Sequence, residues 1–394
     1  MKNISILGST GSIGSNTLAV IRHHRDKFRV SGLSAGRNMD LLRAQIAEFC
    51  PAVVSVATAE RAEELARLLD SSMNVKIVYG QEGAVHVATL PEVHLVVSAM
   101  AGSSGLLPTI KAIESGKTIA LANKEILVMA GDMVTKLCQE KKVKILPVDS
   151  EHSAIYQCLK GNRKKDVRRI ILTASGGPFH TTNHDAMRRM TPKEALRHPR
   201  WKMGRKVTID SATMMNKGLE IIEARWLFQL DFDRIAVHIH PQSIVHSLVE
   251  YRDGSVMAQL GVPDMKISIA YALSYPRRIK VPTDTDLDLT REGKLEFFPV
   301  DHDRFPAIAL AYHAGRTGGT LPVVMNGANE GAVEAFLDER IYFGDIIPLV
   351  EEVMLAHTVL PEPTLHDILQ ADCWARERTE TLIAERISQC HFSG

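Results

Sequence analysis

At 394 residues, with 45% hydrophobic and 24% charged side chains, the chain has the make-up of a globular protein with room for two or three domains. The 47 Lys and Arg against 46 Asp and Glu leave no global field that favours nucleic acid or an anionic membrane, so an anionic ligand must be held by local groups. Five scattered cysteines, with no CxxC pair, argue against a disulfide frame or a thiolate zinc site and for a reducing compartment. With no signal-like start and no long apolar run, a cytoplasmic protein is expected, with no nucleic-acid or membrane partner.

Over residues 1–150, β-rich runs ("NISILG", "FRVSGLSAG", "AVVSVA", "VKIVYG", "VHLVVSAM", "KTIALAN", "VKILPVD") alternate with amphipathic helical patterns such as "AERAEELARLLD". This alternation predicts a parallel, doubly wound sheet. The first run continues into "GSTGSIGSNTLAV", where Gly8, Gly11 and Gly14 stand between a strand and a helix. Glycines there allow a sharp turn and close approach to a pyrophosphate, whose charge meets the free N–H groups of the helix N-terminus. A merely structural glycine turn is the bland alternative.

The second strand runs into Gly36, Arg37 and Asn38 and lacks the acid that usually holds an NAD ribose. An Arg in that place suits a 2′-phosphate, which favours NADPH over NADH; a solvated surface Arg is the alternative.

After the seventh run, "VDSEHSA" places Asp149 and Glu151 two apart. Were this stretch extended, both carboxylates would point to one side beyond a strand end. A hard cation, a shared proton or plain solvation would each relieve their repulsion. Ser150 lies between them but lacks the surroundings of a hydrolase nucleophile.

From 151 to 285 the texture becomes α+β. "RRIILTASGGPF", "AVHIHPQSIVHSLVEY" and "SVMAQLG" read as strands, "GLEIIEARWLF" and "MKISIAYALSY" as helices. In "SATMMNKGLEIIEARW", Asn216 and Glu220 share a helix face with Lys217 alongside. Asp149, Glu151 and Glu220 would make a cysteine-free oxygen set suited to Mg²⁺ or Mn²⁺. Ser175, Ser211, Asn216 and Lys217 would cradle a phosphorylated substrate, although each alone is more often a cap or surface residue.

"HPRWKMGRK" reads either as a closing lid or as a loop anchored by Trp201. His238 and His240 are assigned to strand packing and turn hydrogen bonds rather than zinc. A polar segment at 286–304 reads as a linker, and 305–394 as a C-terminal helical domain.

Taken together, "GSTGSIG", "AGRN", "LANKE", "VDSEHSA", "ASGGPF", "HPRWKMG", "DSATMMNKGLE", "HPQSIVHS", "AQLGVPDM" and "NGANEGAV" resemble the 1-deoxy-D-xylulose 5-phosphate reductoisomerase family, from the first residues to about 345. The resemblance implies an α/β protein with an N-terminal Rossmann-like parallel sheet, a central α+β catalytic domain and a C-terminal helical domain. It implies a homodimer that uses NADPH and Mg²⁺ or Mn²⁺ to rearrange and reduce a sugar phosphate in non-mevalonate isoprenoid synthesis.

On this sequence the family's metal ligands fall on Asp149, Glu151 and Glu220. Its cofactor contacts fall on Thr10, Gly11, Ser12, Ile13, Gly36, Arg37, Asn38, Asn123, Glu125 and Gly204. Substrate contacts fall on Lys124, Ser150, Glu151, Ser175, His198, Ser211, Asn216, Lys217 and Glu220, and the catalytic group comprises Lys124, Asp149, Glu151, Glu220 and His198. Two other readings fit fewer of these residues: a metal-independent NADP-linked dehydrogenase of another small phosphorylated substrate, and a non-catalytic NADP sensor.

Overall fold

The computed structural model describes the whole chain except residues 71–72, 181, 198–200, 202–203, 284–285 and 393–394. The chain forms two compact units, each assembled from separated stretches. The first comprises Met1–Ile126, Asp132–Tyr156 and Asp264–Leu287; the second comprises Leu127–Gly131, Gln157–Pro263 and Asp288–Gly394.

All seven strands expected in the first 150 residues are present: β1 (Lys2–Leu7), β2 (Phe28–Ser34), β3 (Val53–Val56), β4 (Lys76–Tyr79), β5 (Leu95–Ser98), β6 (Thr118–Leu121) and β7 (Ile145–Pro147). They form one sheet in the order β4-β3-β2-β1-β5-β6-β7, with every pair parallel. Helices cover both faces, so the central strands are buried on both sides and read as runs of Val, Ile, Leu and Ala. Strand order reverses between β1 and β5, the switch point where such sheets bind ligands beyond their carboxyl ends.

Two sequence expectations need correction here. The stretch holding Asp149 and Glu151 is not extended. The strand stops at Pro147 and a helix, Ser150–Leu159, begins within the motif. The helix Met265–Ser274, expected in the central domain, belongs to the first unit. There Ile269, Ala270, Ala272 and Leu273 join the core that includes Leu18 and Ile21, and Lys2 Nζ donates to Leu273 O at 2.7 Å.

The second unit holds a four-stranded sheet of β8 (Val167–Ala174), β9 (Ile235–Ile239), β10 (Val245–Tyr251) and β11 (Val256–Leu260), ordered β11-β10-β8-β9. The expected "AVHIHPQSIVHSLVEY" strand is two strands, β9 and β10, which flank β8 on opposite sides. Between them His240 holds the turn. Its Nε2 accepts from the Ile244 and Val245 N–H groups at 3.2 and 3.1 Å, and its Nδ1 faces Glu296 O at 2.8 Å. His240 is therefore the neutral Nδ1–H tautomer, as its assignment to turn bonding predicts.

The C-terminal stretch is helical, as expected: Ala307–Thr317, Leu321–Leu337, Ile346–Leu355 and Leu365–Phe392. Gly327 and Gly331 let Leu321–Leu337 lie close against Leu365–Phe392. A Cβ on Gly327 would stand 3.0 Å from Ala375 Cβ, and one on Gly331 3.2 Å from Thr379 Cγ2. No helix among the described residues is long and apolar enough to cross a membrane.

Candidate active site

The first unit places the glycine turn at the end of β1. Gly8 has φ +86°, which favours glycine, and the N–H groups of Gly8 and Ser9 both reach Ser34 O on β2. Gly11 N-caps the helix Ser12–Arg22, and a Cβ on Gly14 would fall 2.5 Å from Ser9 Cα. The turn thus packs directly on the helix, whose first N–H groups have no acceptor within the helix itself.

Beside it is a cavity of about 240 Å³, lined by Gly8, Ser34, Gly36, Ser55, Met100 and Ser104 among others. Gly36 has open space where a Cβ would stand, and Arg37 is exposed. Asn38 uses its side chain as a helix N-cap, accepting from Leu41 N–H at 3.0 Å. Thr10, Ser12 and Ile13 follow the same turn.

On the other side of the switch point, Asn123 is buried with its Nδ2 on Gly102 O at 3.0 Å and its Oδ1 without a partner. An orphaned acceptor is costly unless a ligand donor reaches it. The glycine cradle, the cavity and this acceptor together fit a dinucleotide.

Asn123, Lys124 and Glu125 follow β6, and Asp149, Ser150 and Glu151 follow β7, the neighbouring parallel strand. Lys124 forms an ion pair with Asp149, and both side chains are nearly buried. Ser150 Oγ donates to Glu151 at 2.5 Å. A carboxylate oxygen of Asp149 lies within 4.8 Å of one from Glu151. The carboxylates therefore converge even though the backbone is not extended, because Asp149 lies just past the strand end, immediately before the helix whose first turn carries Glu151. Hard oxygen donors that already hold one ammonium fit a small divalent cation.

The second unit holds a separate group of the residues named above. β8 ends in Ser175-Gly176-Gly177, whose glycines have φ +81° and +67°. Gly177 N–H donates to Ser175 Oγ at 3.2 Å, and a Cβ on Gly177 would meet Ser211 O at 2.6 Å. Ser211 lies in the helix Arg205–Ala212, which turns through Met214 (φ +64°) into Met215–Phe228. The second helix presents Asn216, Lys217 and Glu220 together. Asn216 Nδ2 donates to Glu220 Oε1 at 2.5 Å, and Lys217 pairs with Glu220 Oε2. Glu220 and Lys217 are buried.

The structure thus gathers Ser175 and Ser211, and Asn216, Lys217 and Glu220, as the sequence predicts. Asp149 and Glu151 belong to one unit and Glu220 to the other. His198 and Met203 lie outside the described residues. Trp201 is half-buried with its ring 6.2 Å from that of His246, and Gly204 is the exposed N-cap of Arg205–Ala212.

Sequence reasoning passed over His246. Burial pushes its imidazole down to about 4, against the opposing pull of backbone bonds at Val262 and Gly261, with His240 and Lys217 adding charge repulsion. Only its place in "HPQSIVHS", one strand turn beyond His240, marks it in the sequence.

Three models of one family match this chain in order. That for 1-deoxy-D-xylulose 5-phosphate reductoisomerase matches residues 4–131, its C-terminal domain 145–228, and the DXP reductoisomerase C-terminal domain 260–378. The chain belongs to the 1-deoxy-D-xylulose 5-phosphate reductoisomerase family.

Among reductoisomerase relatives, those of Chlorobium chlorochromatii and Geotalea daltonii are each 53% identical over 97% of this chain, covering 100% and 99% of their own lengths. A solved DOX-P reductoisomerase in complex with NADPH, fosmidomycin and magnesium aligns at TM-score 0.94 and 42% identity, covering 98% of both chains. The Zymomonas mobilis reductoisomerase in complex with NADPH aligns at TM-score 0.91 and 41% identity, over 97% of this chain and 99% of that one.

Proposed function

We propose that the protein isomerises and reduces 1-deoxy-D-xylulose 5-phosphate to 2-C-methyl-D-erythritol 4-phosphate, using NADPH and Mg²⁺ or Mn²⁺. The observation that carries this reading is the near full-length match to reductoisomerases at 53% identity. The glycine cradle and the orphaned Asn123 acceptor support it at the cofactor end, and the converging Asp149 and Glu151 support it at the chemical end.

NADPH would lie on Thr10, Gly11, Ser12 and Ile13, with Gly36, Arg37 and Asn38 at its 2′-phosphate and Asn123, Glu125 and Gly204 nearer the nicotinamide. Asp149, Glu151 and Glu220 would hold the divalent ion, which polarises substrate oxygens as a Lewis acid when bound. Ser175, Ser211, Asn216, Lys217 and His198 would hold the phosphate and so fix the position of the reacting carbons. Lys124 and Ser150 would donate to substrate oxygens, where developing negative charge is met by the ammonium.

We assign nucleotide binding to 1–150, catalysis to 151–285 apart from the stretch from Asp264 that packs into the first unit, a linker to 286–304 and the helical domain to 305–394. A homodimer is supported by the outer strand β11, which leaves Val256 and Met257 51% and 45% exposed. A cytoplasmic location is supported by Cys50, Cys138, Cys158 and Cys373, all free thiols.

The test is NADPH oxidation with the pentulose phosphate after exhaustive chelation, then with Mg²⁺ or Mn²⁺ restored. Turnover should vanish and return. Full turnover without divalent ions would favour a metal-free dehydrogenase, and NADPH binding with no turnover under any condition would favour a sensor.

A further inference from the structure

The helix Arg205–Ala212 carries Ser211 in its last turn, and it is tied to the C-terminal helices by a chain of polar contacts centred on buried Asp210 and Asn329. Asp210, 1% exposed, directs one oxygen to each of two partners. Its Oδ1 accepts from Asn329 Nδ2 at 2.8 Å, and its Oδ2 pairs with Lys206 Nζ at 3.0 Å. Asn329 is fully buried in the helix Leu321–Leu337. Next to it, Glu330 lies 3.9 Å from Lys206 Nζ, accepts from Asn326 Nδ2 at 3.3 Å and pairs with Arg376. Arg376 is held in turn by Asp372 at 3.1 Å on the same last helix.

A buried carboxylate is tolerated only where its oxygens are met by donors. Lys206 rides on the same helix as Asp210, so the donor that fixes the rotation of Arg205–Ala212 is the Asn329 amide on the neighbouring helix, with Lys206 adding a weaker tie through Glu330 at 3.9 Å. That rotation sets where Ser211 points. The Ser175-Gly176-Gly177 loop rests on the Ser211 backbone, so both serines shift together when the helix tilts.

We infer that Asp210 and Asn329 are positioning residues, through which the C-terminal helices hold Ser211 and the Ser175 loop ready for the substrate's phosphate. This rests on the assignment of Ser175 and Ser211 to that phosphate.

The experiment compares three full-length variants, loaded with NADPH and Mg²⁺, with the wild type. Asn329→Leu removes the donor. The exchange Asp210→Asn/Asn329→Asp restores a donor facing an acceptor and leaves an amide oxygen for Lys206. Glu330→Gln is the milder change, kept for the case in which Asn329→Leu does not fold.

Asn329→Leu should raise KM for the pentulose phosphate about tenfold, the size of one lost buried hydrogen bond, while kcat falls less and NADPH affinity stays level. Calorimetry with inorganic phosphate should show a comparable loss. The exchange should recover most of the KM, and Glu330→Gln should raise it about threefold.

An unchanged KM in Asn329→Leu, or in Glu330→Gln if the former does not fold, would overturn the inference. So would equal losses in KM, kcat and NADPH affinity that the exchange fails to rescue. Failure of wild-type protein to turn over the pentulose phosphate would sink the functional reading alone, because phosphate affinities of variant and wild type would still decide the positioning claim.

Discussion

Lys124 and Asp149 are paired because two neighbouring parallel strands end in register: Leu121 of β6 lies opposite Pro147 of β7. The next residues of each segment emerge side by side. "LANKE" and "VDSEHSA", well separated in sequence, thereby become one acidic and basic cluster at the carboxyl edge of the sheet.

Replacing Lys124 by Met removes an ammonium that our reading gives to substrate oxygens. The loss should lower kcat/KM for the pentulose phosphate about 10- to 100-fold, as expected for a hydrogen bond to a charged group. NADPH affinity, followed by its fluorescence, should change little. A variant with wild-type kcat/KM would remove Lys124 from the machinery.

Glu220→Gln removes the carboxylate that pairs with the buried Lys217. Breaking such a pair from one side costs about 3 kcal/mol, which urea unfolding would read directly. Turnover should be lost while NADPH still binds. Retained turnover would remove Glu220 from the metal set.

Arg37→Ala should weaken NADPH by about tenfold or more, through loss of a charge-assisted contact with the 2′-phosphate, and barely affect NADH. Equal losses for both nucleotides, measured by fluorescence titration, would count against this role.

His246 gives a pH prediction. In the unfolded chain its imidazole takes up a proton near 6.5, whereas the folded group stays neutral until about 4. Between those values the unfolded state binds more protons, so stability falls as pH falls, by about 3 kcal/mol from this residue. Carbon chemical shifts of labelled His246 should hold the neutral pattern down to about pH 4.5. Titration of the folded protein near 6.5 would refute the shift.

Much of this was readable in the sequence because the relevant signals are local. The seven strand runs, the glycine turn and the "MNKGLE" helix face each depend on neighbours a few residues away. The "VDSEHSA" stretch was harder. An extended backbone would bring its carboxylates together, whereas the helix starting at Ser150 does so differently, because strand pairing with β6 ends at Pro147.

The place of the helix Met265–Ser274 is hidden in the sequence for another reason. Residues Ser268–Leu273 are all buried, so the helix has no polar face from which to tell which sheet it covers. The Asp210–Asn329 bond joins residues 119 apart, and neither residue type alone marks a contact at that range.

The return of 264–287 to the first unit constrains how this enzyme can be taken apart. A fragment ending near residue 156 would carry every strand of the nucleotide sheet, yet lack the side chains of Ile269 and Leu273 that close its core beside Leu18 and Ile21. An isolated cofactor-binding piece suited to crystallography or inhibitor screening must therefore be spliced, with the late helix joined to the early sheet through a designed connector. Cutting the gene at one point will not produce it.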